Sequence, residues 1–102
     1  MSNHEYKVSK IAEGAKIANV AKRDGTLVPF DSDKIFNAIR KAGEATGEFG
    51  EQECYLLTGQ VLKVLEHKFS DSLPSSENIQ DVVEQVLISA NYFTTAKSYI
   101  LY

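Results

Sequence analysis

The segment from Val20 to Ile35 constrains this chain more than any other, because it specifies a hairpin, a helix start and the placement of three cations. Asp24-Gly25 is a strong short hairpin signal: both central residues of a type I′ turn need positive φ, which Gly adopts freely and Asp tolerates. Lys22 and Arg23 then close one strand, and Leu27-Val28-Pro29-Phe30 forms a short return strand whose proline marks an edge or a strand end. A helix follows, for which Asp31, Ser32 or Asp33 can serve as cap. Lys34 falls in its first turn, where the free backbone N–H groups and the positive end of the helix dipole already point outward.

A cation at that place is electrostatically unfavourable, and two readings of it stay open. In one, Lys34, the helix start and the Lys22-Arg23 pair share an anion. In the other, Asp31 or Asp33 neutralises Lys34, and Lys22 and Arg23 are ordinary edge-strand charges that discourage aggregation.

Downstream, apolar residues recur at helical spacing. Ile35, Phe36, Ala38, Ile39 and Ala42 place a first helix over about 33–45, weakened by Gly43 and ended by Gly47 and Gly50. A second helix over about 51–68 has a stripe of Leu57, Val61, Val64, Leu65 and Phe69. The polar break 70–75 contains Pro74, and Leu73 there offers a third, very short strand. Ser76 caps a third helix whose inward face is Ile79, Val82, Val83, Val86, Leu87 and Ala90. Thr94 or Thr95 starts a final helix reaching Tyr102. The predicted fold is a small α+β domain over 16–102, a hairpin packed on about four helices, after a flexible lead-in over 1–15.

Composition bounds the function. The chain has 102 residues and is 43% hydrophobic, which fits one ordinary folded core. No apolar run approaches the ~20 residues that span a bilayer, and the start does not read as a secretory signal, so the expected location is cytoplasmic. The net charge of −3 makes duplex nucleic acid an improbable partner. The charge is unevenly distributed: residues 1–34 hold six basic and five acidic side chains, and residues 35–102 hold five and nine. The cations near the hairpin therefore suit one small polyanion. Cys54 is the sole cysteine, which excludes an internal disulfide, and it reads as a small buried hydrophobe. Gly43-x-x-x-Gly47-x-x-Gly50 lacks the Lys-Ser/Thr of a P-loop and is a connector. His4 and His67 have no metal-ligand spacing, and no nucleophile motif marks a catalytic centre.

Two blocks carry a resemblance. Val-x-Lys-Arg-Asp-Gly followed by Phe-Asp-x-x-Lys-Ile, and then Glu77 to Glu84 with Ala96 to Tyr102, resemble the ATP-cone, the regulatory nucleotide-binding module of many ribonucleotide reductases, over about 18–102. The resemblance implies a hairpin lying as a lid over the first helices, with ATP or dATP beneath it, and leaves open whether Mg²⁺ accompanies the nucleotide. By position, it implies that the residue at Val20 packs near the adenine and that Lys22, Arg23 and Lys34 handle phosphates. Val28, Pro29, Phe30, Asp31, Ser32 and Asp33 would wrap base and ribose. Some members carry glutamate where this chain has Val28, so one side-chain contact to the base is missing here. Ser76 stands where threonine is frequent, and its hydroxyl either reaches a phosphate or caps the helix. The family often carries basic residues just past Lys97, Tyr99 and Tyr102; these are not in this sequence, and lacking them is expected to weaken binding.

The implied function is allosteric: ATP favours an active reductase and dATP an inactive assembly, with the parent's catalytic domain as partner. The domain itself would not be catalytic. The strings Ile-Gln-Asp-x-Val-Glu and Ala-Lys-x-Tyr-Ile-x-Tyr resemble anaerobic or cobalamin-dependent reductases more than the aerobic large subunit. Two alternatives stay open. One is the cone of a nucleotide-sensing transcriptional repressor, whose cysteine-rich ribbon has no counterpart in residues 1–19. The other is a helical interaction domain that binds no nucleotide. Self-association through helical faces is also open.

Overall fold

Three residues, not two, lie in the loop that turns the hairpin. In the computed structural model, which describes residues 17–100, β1 (Asn19–Ala21) and β2 (Leu27–Pro29) pair antiparallel, with Val20 opposite Val28 and Ala21 opposite Leu27. The Gly25 N–H donates to the Lys22 carbonyl at 2.9 Å, and the Lys22 N–H donates to the Thr26 carbonyl at 2.8 Å. Gly25 takes a φ of 88°, whereas Asp24 has no positive φ. The expected type I′ turn is therefore replaced by a three-residue loop closing on a left-handed glycine. Asp24 contributes its carboxylate instead, accepting the Thr26 N–H at 3.0 Å. The lead-in read over 1–15 lies outside the described residues.

The third strand shrinks to one bridge and moves off Leu73. Ala21 pairs in parallel with Ser75, and the Ala21 N–H donates to the Pro74 carbonyl at 3.0 Å. Pro74 is fully buried and has no N–H with which to extend a ladder, while Leu73 is exposed.

Local chemistry sets the four helices of the described residues. Helix α1 (Ser32–Thr46) is capped by Asp31, whose side chain accepts the Asp33 N–H at 3.0 Å, and stops at Gly47 in the left-handed region. Helix α2 spans Glu51–Lys68 and α3 spans Ser76–Ser89. The cap of α3 is Ser75 rather than Ser76. Its hydroxyl accepts the Asn78 N–H at 3.0 Å while the Asn78 side chain accepts the Ser75 N–H at 2.9 Å. Only the serine three residues before Asn78 can close this reciprocal box. Helix α3 ends on Asn91, left-handed at φ 68°, with the Tyr92 N–H reaching back to the Leu87 carbonyl at 2.9 Å. That early stop starts α4 (Phe93–Ile100) ahead of Thr94; the expected end at Tyr102 lies outside the described residues.

The helices pack in a ring: α1 touches α2 and α4, and α3 touches the same two. Phe36, Ile39, Leu57, Val61, Leu65, Val82, Val83 and Leu87 are fully buried at its centre, each contributing roughly 1.5–3 kcal/mol of burial. The expected stripes and the burial of Cys54 hold, except that Ala38, Val64, Phe69, Ile79 and Ala90 are only partly buried and Thr58 and Leu62 join the interior. Among the described residues, no helix is long and apolar enough to cross a membrane.

Two tertiary ties involve the connection between α1 and α2. The Phe49 ring lies on Gly43, where a β-carbon would enter the ring's van der Waals envelope, and meets the Tyr92 ring at a tilt, with centroids 4.6 Å apart. Glu48 accepts the Thr95 N–H at 2.7 Å, and the Thr46 and Thr95 hydroxyls meet at 2.7 Å. Hydrogen bonds from Thr95, side chain first and then backbone, aided by the Thr94 N–H, hold the Glu48 carboxyl below its ordinary 4.5 against the opposing effect of desolvation.

Gly43→Ala is expected to lower stability by about 1–3 kcal/mol through overpacking, although alanine gains roughly 1 kcal/mol in helix propensity; a raised urea midpoint would refute the packing role of Phe49. Glu48's depressed carboxyl contributes stability above its unfolded value, and that contribution disappears as pH falls through the lower folded value. Glu48→Gln should therefore be less stable than wild type at neutral pH, with the gap closing as the pH falls below the ordinary 4.5 and through the lower folded value, in thermal melts followed by circular dichroism.

Candidate functional site

A cleft of about 270 Å³ opens between the hairpin and the first turns of α1 and α3, with Tyr99 of α4 as its far wall. Val20 of β1 stands opposite Val28, and Lys22, just past the end of β1, lines the same cleft. Pro29 and Phe30 continue that wall into α1, where Asp31, Lys34 and Ile35 follow at helical spacing. Ser76, Ile79 and Gln80 present the same i, i+3, i+4 face from α3. Valine, isoleucine and phenylalanine side chains give the cleft an apolar side, and Lys22, Lys34, Ser76 and Gln80 give it a polar one.

The cations differ in what holds them. Among the described residues, neither Lys22 nor Lys34 is in an ion pair. No ion pair joins Lys34 to Asp31 or Asp33 among the described residues, and the Asp31 side chain accepts the Asp33 N–H. Lys34 stands in the first turn of α1 with the dipole against it. Arg23 does not line the cleft. Its guanidinium is 3.7 Å from the Glu77 carboxylate, with both side chains largely exposed. Ser32 is buried in the first turn of α1, Asp33 is exposed, and neither lines the cleft.

Four lining residues were not among the site candidates. Ile35 and Ile79 carry the helical stripes and Tyr99 reads as core packing, so periodicity hides their second role. Gln80 is one helical turn from Ser76, and that spacing is the signal that would have found it. A neighbouring hollow of about 370 Å³ shares Lys34 and Tyr99 and adds Asn37, Ala38 and Lys41 along α1.

The chemistry this arrangement offers is binding. Among the described residues, no group of three His, Cys, Asp or Glu side chains could hold a metal ion. Burial pushes the Cys54 thiol up to about 11, against a smaller opposing effect from Arg40, so it is a poor nucleophile.

Comparison with known proteins places the whole of this architecture. The family described as ATP cone domain matches residues 18–102. A vitamin B12-dependent ribonucleoside-diphosphate reductase from Thermoplasma acidophilum is 42% identical over 91 residues, covering 84% of this chain and 12% of that protein. The ribonucleoside-diphosphate reductase subunit alpha of Chlamydia muridarum is 39% identical over 93 residues, covering 82% of this chain and 9% of the relative. An anaerobic ribonucleoside-triphosphate reductase from Haemophilus influenzae is 31% identical over 83 residues, covering 81% and 12%. The chain thus spans only a small part of the length of these relatives. B12-dependent and anaerobic enzymes, the two types its strings resemble, are both among the matches.

Proposed function

Because this chain belongs to the ATP-cone family, we propose that it is the allosteric domain of a ribonucleotide reductase and binds ATP or dATP in the cleft beneath the hairpin. The observation that carries this reading is the convergence of Lys22 and Lys34, neither in an ion pair among the described residues, on one hollow beside the start of α1. An isolated cation in the first turn of a helix is disfavoured, and a polyphosphate bridging both lysines at the helix start reverses that penalty. Val20, Val28 and Phe30 supply the apolar surface for the base, and the Ser76 hydroxyl stands within the same hollow. Asp31 is the one carboxylate among the lining residues. Mg²⁺ arriving with the nucleotide would therefore be coordinated mainly by phosphate oxygens and water.

ATP and dATP differ only in the 2′-hydroxyl, so regulation requires that the two nucleotides prefer different states of the domain. The hairpin is the element best suited to respond. Its strands are three residues each, and one backbone bond to Pro74 and the exposed Arg23–Glu77 pair link it to the start of α3. Occupancy of the cleft would then be passed to the catalytic part of the parent enzyme.

Isothermal titration with ATP, dATP and GTP in magnesium buffer tests the reading. The two adenine nucleotides should bind saturably and GTP much more weakly. Lys22→Ala and Lys34→Gln should each lose about 1.5–3 kcal/mol of nucleotide binding, with Arg23→Ala milder because its guanidinium is drawn toward Glu77. Lys34→Gln should at the same time raise stability in the free protein by about 0.3–1 kcal/mol, since it removes a charge that opposes the dipole. Undiminished affinity in the Lys22→Ala/Lys34→Gln double variant would overturn the site.

A further inference from the structure

Tyr99, the wall shared by the cleft and the hollow beside it, is carried by α4. Tertiary ties hold α4 in position, beginning with its packing on α1 and α3. Its first turn receives such a tie from a distant part of the chain. The Glu48 carboxylate, in the connection between α1 and α2, accepts the Thr95 N–H at 2.7 Å, and the Thr46 hydroxyl meets that of Thr95 at 2.7 Å. Thr95 is completely buried, which leaves little room for a compensating shift. Thr95 and Tyr99 are four residues apart and lie on one face of α4, one turn and about 6 Å along its axis.

We infer that Glu48 is a positioning residue for the cleft: by capping α4 from the α1–α2 connection it sets where Tyr99 stands beside Lys34. The effect of this on nucleotide affinity rests on the function proposed above; the effect on Tyr99 does not. Helix α1 completes the frame, because Lys34 is in its first turn and Thr46 in its last. The wall carrying Tyr99 and the cation facing it are thus referenced to opposite ends of one rigid element. Reciprocity follows, since a ligand that presses on Tyr99 must also change the equilibrium opening of the Thr95 amide.

Spatial intermediacy alone does not establish such coupling, so the test is a cycle with two readouts on the 102-residue chain. In NMR spectra without ligand, Glu48→Ala should shift the Tyr99 ring resonances while leaving those of Phe36 and Leu57 in place. Glu48→Gln, which keeps an acceptor oxygen, should restore most of the wild-type Tyr99 spectrum. With ATP, Glu48→Ala should weaken binding by about threefold to tenfold, yet by less than about twofold in a Tyr99→Ala background. Unmoved Tyr99 resonances in Glu48→Ala, or the same loss of affinity in both backgrounds, would overturn the positioning role. If the wild-type chain binds no adenine nucleotide, the proposed function fails, while the Tyr99 resonances still decide the role of Glu48.

Discussion

The hydrogen bond from the Ala21 N–H to the Pro74 carbonyl, at 3.0 Å, is what turns a hairpin and a helical ring into a cleft. A two-stranded hairpin is marginal on its own, and this one has strands of only three residues. Burial of Val20 and the bridge from Ala21 to Ser75 fix its inner strand against the start of α3. Its outer strand leads within two residues into the Asp31 cap of α1. Both helix starts are therefore brought under one sheet, and the space left between them is the hollow containing Lys22, Lys34 and Ser76.

That geometry concentrates positive potential. The starts of α1 and α3 each contribute the positive end of a helix dipole, and Lys22 and Lys34 add two formal charges that form no ion pair among the described residues, with Asp24 close enough to feel the charge of Lys22. Glu77 offsets part of this outside the cleft, where it holds Arg23. The chain as a whole is acidic, so attraction for an anion depends on this local arrangement and not on net charge. In the proposed reading, the nucleotide supplies the missing negative charge, and the hairpin's few ties to the body let occupancy alter its position.

Much of this was legible in the residues. The Asp24-Gly25 pair marked the hairpin, the 3.6-residue period marked the helices, and most of the lining residues fell within the candidate segment. What local sequence does not specify are details one residue wide and partners distant along the chain. The loop closes on Lys22 and Thr26 with Gly25 alone left-handed, which a dipeptide signal cannot distinguish from a type I′ turn. Ser75 and Ser76 are equivalent as capping residues until Asn78 selects the first of them. Gly43 looks like a weakness in α1 until Phe49 occupies the space above it. Glu48 and Thr95 are 47 positions apart, and no local pattern announces their bond.

The most direct measurement is an NMR titration of the ¹⁵N-labelled chain with ATP. The account requires the largest amide shifts at Val20 to Lys22, Phe30 to Lys34 and Ser76 to Gln80, the segments that enclose the cleft. Shifts centred instead on the groove between α2 and α3, around Lys63 and Gln85, or no shifts at all, would contradict it.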